Sequence, residues 1–140
     1  MKKAVIYLIT MLLLCGCKAS RTEPANKKTV TFINGVKDAD IWILPETEEN
    51  LKTTVWGKAT VSGIKTNESR KVPLCDAGEN GRHIIRMIDT DNVFYSADGI
   101  ILEPGWTVRI AGNDLQSVKV EVSDKNGVTQ NTYEVFAASL

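Results

Sequence analysis

The sequence predicts an all-β domain: an antiparallel two-sheet sandwich, immunoglobulin-like or similar, of seven to nine short strands. Three observations carry this reading. Apolar residues recur with period two, as in Val118, Val120 and Val122 alternating with Lys119, Glu121 and Ser123; that alternation puts one face of a strand in a core and the other in solvent. Turn residues punctuate the chain roughly every 8–12 positions, the spacing of sandwiches and barrels. No segment beyond residue 29 sustains an apolar stripe at helical spacing. A two-sheet sandwich is favoured over a closed barrel.

Taken in order, Val30 and Phe32 flank Thr31 and open the domain, and Asn34-Gly35 supplies its first turn. A strand follows at 40–44, where Trp42 falls on the opposite face from Ile41 and Ile43. Pro45 to Leu51 fits one helical turn, with Pro45 at the first position, where its missing N–H costs nothing. Further strands are expected at 53–56, 59–64 and 70–74. Ile84, Ile85, Met87 and Ile88 crowd around Arg86, a density expected of a central strand covered on both faces. Strands at 93–96 and 100–103 lead to Pro104-Gly105, and Trp106, Val108 and Ile110 then form a core-facing set. Gly112-Asn113-Asp114 turns the chain again. Val118–Ser123, Asp124–Gly127 and Val128–Phe136 read as a closing hairpin.

The first residues differ from the rest. Lys2 and Lys3 precede an uncharged, mostly apolar run from Ala4 to Leu14, 11 residues long. A spanning helix needs about 20 apolar residues, so this run suits the core of a signal peptide instead. It ends in Leu14-Cys15-Gly16-Cys17, which resembles the lipobox of bacterial lipoproteins. The resemblance implies a diacylglyceryl group on the Cys17 thiol, cleavage by a type II signal peptidase after Gly16, and acylation of the new N-terminus. Cys15 fits the lipidated position poorly, because bulky Leu14 precedes it. Lys18 is not the Asp that retains such proteins in the inner membrane, so the outer membrane is favoured. One acyl chain holds a protein reversibly and two or more hold it stably.

The expected organisation is therefore a signal peptide at 1–16, a lipidated Cys17 with a flexible tether to residue 28, and a sandwich at 29–140. The tether, 18–28, has no large apolar side chain. Removing the leader leaves 15 basic against 17 acidic side chains over 124 residues. The whole chain carries 17 of each sign, and this balance argues against a nucleic-acid partner, which needs a basic face. With Cys15 removed and Cys17 lipidated, Cys75 alone is left, so no disulfide within the chain is possible. It is expected to be partly buried, with a bond to a partner chain as the alternative.

Chemistry is sparse. His83 is the one histidine, expected at an exposed strand end. One His and one unmodified Cys cannot supply the three or four N/S ligands of a zinc site, and no nucleophile elbow, phosphate loop or dinucleotide fingerprint occurs. No cofactor and no metal are expected. Asp89-Thr90-Asp91-Asn92 has closely spaced oxygen ligands that could suit a cation, but lacks an EF-hand's Gly and terminal Glu, and the turn reading is favoured. Glu46, Glu48 and Glu49 read as a solvated loop. The segment with Trp56-Gly57 and Arg86-Met87-Ile88-Asp89-Thr90-Asp91 is similar to small secreted bacterial β-domains of unassigned activity. It departs from them in having Asn92-Val93 where they have Gly.

Candidate binding residues are Trp56, beside Gly57 in a loop-like context, and Trp42. The favoured function is a non-enzymatic envelope lipoprotein that meets the membrane through Cys17 and binds an envelope protein or glycan. Two alternatives stand beside it. One is a small hydrolase built on His83; the other is a carbohydrate-binding module whose Trp42 and Trp56 form a coplanar exposed pair.

Overall fold

A computed structural model of the chain describes residues 28–112, 114 and 116–140. The leader, Cys17, Lys18 and Asn113 lie outside the described residues. Among the described residues the chain forms ten strands, β1 (Thr29–Gly35), β2 (Ala39–Pro45), β3 (Val61–Ile64), β4 (Ser69–Pro73), β5 (His83–Asp89), β6 (Val93–Ile100), β7 (Thr107–Ala111), β8 (Lys119–Ser123), β9 (Thr129–Glu134) and β10 (Phe136–Ser139), with one short helix, α1 (Glu48–Lys52). The strands make two five-stranded sheets, ordered β4-β1-β7-β8-β9 and β10-β6-β5-β2-β3. The all-β sandwich read from the sequence is the observed fold.

Several details differ from expectation. Ten strands replace seven to nine, partly because the expected 128–136 strand breaks at Val135: β9 pairs with β8 in the first sheet, and β10 pairs with β6 in the second. The sheets are not wholly antiparallel, since β1 lies parallel to β7, Thr31 opposite Thr107 and Gly35 opposite Ala111. Residues 53–56 and 101–103 form no strand. Pro45 ends β2 rather than starting the helix, and Thr47 caps α1 by accepting a 3.0 Å hydrogen bond from the Asn50 N–H. Thr does this better than Pro because its hydroxyl satisfies one of the free N–H groups at a helix start.

One core fills the space between the sheets. Val30 and Phe32 of β1, Val108 and Ile110 of β7, and Val120 and Val122 of β8 join Ile41 and Ile43 of β2, Ile85 and Met87 of β5, and Tyr95 and Ala97 of β6. Every one is an alternate residue of its strand, as period two requires. The central position of β5 accounts for its dense apolar run: all its residues but Ile88 are buried.

Buried polar groups are mostly satisfied. Asn34 is fully buried; its amide donates to the Lys37 and Ile64 carbonyls at 2.8 and 3.2 Å, and its oxygen accepts from the Val36 N–H. It thereby ties the β1–β2 turn to the end of β3. Arg86, on the outer face of the second sheet, reaches the Asp98 carboxylate at 2.5 Å.

Candidate functional site

β2 alternates strictly, so Ile41 and Ile43 enter the core while Trp42 stands on the outer face of the second sheet. Register then decides its neighbours. Trp42 lies opposite Arg86, Arg86 opposite Ser96, and Ser96 opposite Phe136. One row over, Ile88 lies opposite Phe94 and Phe94 opposite Ala138. In an antiparallel sheet with one solvated face, these positions ordinarily carry polar residues. Here two rows across four strands carry Trp42, Ile88, Phe94 and Phe136.

The loop after α1 folds onto this face. β3 pairs with β2 only as far as Ile41, and the Thr60 hydroxyl takes the next free edge group, the Ile43 N–H, at 3.0 Å. Gly57 has φ +67, a region that side-chained residues rarely adopt, and its carbonyl accepts the Trp42 indole N–H at 3.1 Å. The Trp56 indole N–H donates to the Thr53 carbonyl at 3.0 Å. The rings form a chain of contacts. Trp42 meets Trp56 edge-on, centroids 5.3 Å apart at 66°; Trp56 stacks on Phe94 at 5.4 Å and 20°; Phe94 meets Phe136 at 6.4 Å and 62°. Such pairs contribute about 0.5–1.5 kcal/mol each beyond area burial.

Trp42, Val55, Trp56, Ile88, Phe94 and Leu140 line a groove of about 500 Å³. Two of its lining side chains are exposed apolar groups, Val55 at 80% and Leu140 at 75%, and Phe136, 65% exposed, adjoins it through Phe94. The sequence-derived pair Trp42 and Trp56 is thus brought together, at the centre of a wider apolar face. Val55, Phe94, Phe136 and Leu140 carried no signal of their own. They meet only through the β5–β6–β10 register and the fold of the loop. The pair is not the coplanar platform of the glycan reading: the indoles are 66° apart, and Phe94 covers one face of Trp56.

His83 is elsewhere, and it is not exposed. It starts β5 between Pro45 and Ile100 and is 2% accessible. Its Nε2 lies 2.9 Å from the Cys75 carbonyl oxygen, and buried Nδ1 has no partner among the described residues. The central place of β5 closes this strand end, which the sequence pattern placed in solvent. A general base must reach a substrate proton, and a ring shut away from solvent is badly placed for that. Cys75 is half-buried, and its Sγ donates to the Ile43 carbonyl at 3.4 Å. Burial pushes its thiol pKa up, away from the thiolate a nucleophile needs. Trp106 is half-buried against the core, just before β7 of the first sheet, whereas Trp42 belongs to the second.

The acidic turn holds protein donors. Asp89 is 4% exposed; Oδ1 accepts from the Asp91 and Val93 N–H groups at 2.9 and 3.0 Å, and Oδ2 from the Tyr95 hydroxyl at 2.8 Å. Burial, reinforced by the bond to Asp89, holds the Tyr95 phenol well above its usual range. Asp91 pairs with Lys37, whose pKa that bond raises. Both carboxylates lie along a second groove of about 460 Å³ at the end of the sandwich. Among the described residues no group of three or more His, Cys, Asp or Glu is placed to hold a metal. Glu46, expected to be merely solvated, ties the loop before β5 to the end of β6: it accepts from the Asn80 amide at 2.8 Å and from the Gly99 N–H.

No protein-family model, curated protein or solved structure matches this chain. Among the described residues no helix is long and apolar enough to cross a membrane.

Proposed function

We propose that this chain is a bacterial envelope lipoprotein, held in a membrane by lipid on Cys17, whose β-domain acts by binding rather than by catalysis. The outer membrane is the favoured location. The surface that binds is the aromatic face of the second sheet, centred on Trp42 and Trp56. One observation carries this choice: Trp42, Ile88, Phe94 and Phe136 stand at outer-face strand positions that alternation would make polar, the rings touch in a chain through Trp56, and Val55, Phe136 and Leu140 beside them are each more than 60% exposed. Patches of that kind on soluble domains mark interaction sites. Both indole N–H groups are already bonded within the chain, so the face favours an apolar partner over a sugar that would need those donors.

Two measurements test the two halves. Metabolic labelling with an alkyne fatty acid should mark the full chain, and Cys17→Ser should abolish the label; label that persists in that variant removes the anchor. A photo-crosslinking residue at position 55 should yield adducts in intact envelopes, whereas one at position 125, in the turn between β8 and β9, should not. Equal yields at the two positions remove the aromatic face as the binding surface.

A further inference from the structure

We infer that the partner of the aromatic face is the lipid surface to which the chain is anchored, so that the domain lies on the bilayer through its second sheet. This rests on the lipoprotein reading above and names the partner of the same face. The loop that carries the exposed tip has the pattern Lys52-Thr-Thr-Val-Trp-Gly-Lys58. Val55, 80% exposed, and Trp56 are flanked along the chain by Lys52 and Lys58. Apolar tips enter the boundary between headgroups and acyl chains, aromatic rings settle at that depth, and flanking lysines meet lipid phosphates. Lys58 makes no ion pair among the described residues. Lys52 pairs with Glu48 one helical turn away, and both side chains are more than 70% exposed. A pair so exposed is worth little, and Lys52 can exchange it for a phosphate.

The hydrogen-bonding pattern points the same way. Moving an unbonded indole N–H out of water is costly. Here Thr53 and Gly57 supply the acceptors from the loop itself, so both rings can leave water with that bond intact.

Length allows the placement. Ten residues lie between Cys17 and Lys28, eleven residue-to-residue steps, with a maximum reach of ~36–40 Å at ~3.3–3.6 Å per step. β1 has 7 residues, about 23 Å at ~3.3 Å each, and stacked sheets lie ~10 Å apart. The anchor can therefore enter the bilayer while the opposite sheet rests on it.

The test uses the full lipidated chain in vesicles of phosphatidylethanolamine and phosphatidylglycerol, with and without bromine on the acyl chains. Bromine quenches indoles only at close range. The expected result is quenching of the tryptophan emission, lost in Val55→Asp, together with weaker quenching in Lys58→Glu. Position 55 is exposed, so the first change leaves the core untouched; near-ultraviolet circular dichroism confirms the fold of each variant. Quenching that Val55→Asp leaves unchanged overturns the inference. So does an absence of quenching. If quenching is absent but position 55 crosslinks to an envelope protein or to a second copy, the binding face stands and only its lipid partner falls. If both are absent, the proposed binding face falls as well.

Discussion

Replacing Tyr95 by Phe removes one atom from the buried end of the sandwich and leaves the ring in place. The Tyr95 hydroxyl donates to Asp89 Oδ2 at 2.8 Å, and the two residues are 5% and 4% exposed. Asp89 Oδ1 at the same time holds the N–H groups of Asp91 and Val93 across the turn between β5 and β6. Without the hydroxyl, a buried carboxylate loses one of three donors and keeps its cost of desolvation. A hydrogen bond to a charged group contributes ~1.5–3 kcal/mol. With a urea slope of about 1–3 kcal/mol/M for a small domain, Tyr95→Phe should lower the unfolding midpoint by roughly 1 M. Asp89→Ala should cost more, because it strands a buried phenol and two turn N–H groups. The double variant should then cost less than the sum of the singles by ~1–2 kcal/mol, since each single removal leaves the other partner unsatisfied. The assay is urea unfolding at pH 7, followed by tryptophan fluorescence and far-ultraviolet circular dichroism. A Tyr95→Phe midpoint equal to that of the parent, or strictly additive singles, would show that this bond does not hold the turn.

Three further outcomes follow from packing and charge. A Cβ at Gly78 would lie 1.9 Å from the Glu46 carbonyl oxygen, so Gly78→Ala should destabilise by about 1–3 kcal/mol; calorimetry showing an unchanged melting temperature would contradict this. Asp38 is held below its usual pKa by the Thr66 N–H and by Lys65, Glu68 by the Lys65 N–H and by Arg70, and Asp124 by the Val128 and Asn126 N–H groups and by Gln130. Each contributes stability in full above its unfolded value, about 4, and loses it as pH falls through the lower folded value. Urea midpoints should therefore hold from pH 7 to about 5 and drop below about 4; equal midpoints at pH 7 and pH 3 would contradict the sign. Cys75, with its pKa raised by burial, should alkylate with iodoacetamide at pH 8 more slowly than free cysteine, and a faster rate would contradict its half-buried position.

The alternating pattern made most of this fold legible. Val30 and Phe32, Ile41 and Ile43, and Val118 to Val122 name their own faces, and Ile84 to Ile88 announce a central strand. What period two does not encode is which strand lies beside which. The parallel pairing of β1 with β7 joins segments more than 70 residues apart, and no local pattern marks it. The sheet switch at Val135 was hidden for the same reason, and with it the arrival of Phe136 and Leu140 beside Phe94. Thr53 to Trp56 shows the limit from the other side. It reads as a strand because β-branched and aromatic residues favour strands, yet here those residues serve an exposed loop. His83 misled because a residue at the start of a strand is usually near solvent, whereas the strand it starts is central. Trp42 and Trp56 were legible as candidates from residue type and neighbouring Gly57. Their mutual angle, the feature that separates an apolar partner from a stacked sugar, belongs to tertiary structure.

Accessibility of position 55 in isolated envelopes is the measurement that bears most directly on an anchored domain working through its aromatic face. A membrane-impermeant maleimide would be reacted with Val55→Cys and, as reference, with Lys125→Cys, before and after detergent. The account predicts labelling at position 55 at least about tenfold slower in envelopes than in detergent, a protection of ~1.4 kcal/mol or more, with position 125 labelled equally in both. Equal rates at position 55 with and without detergent would contradict it.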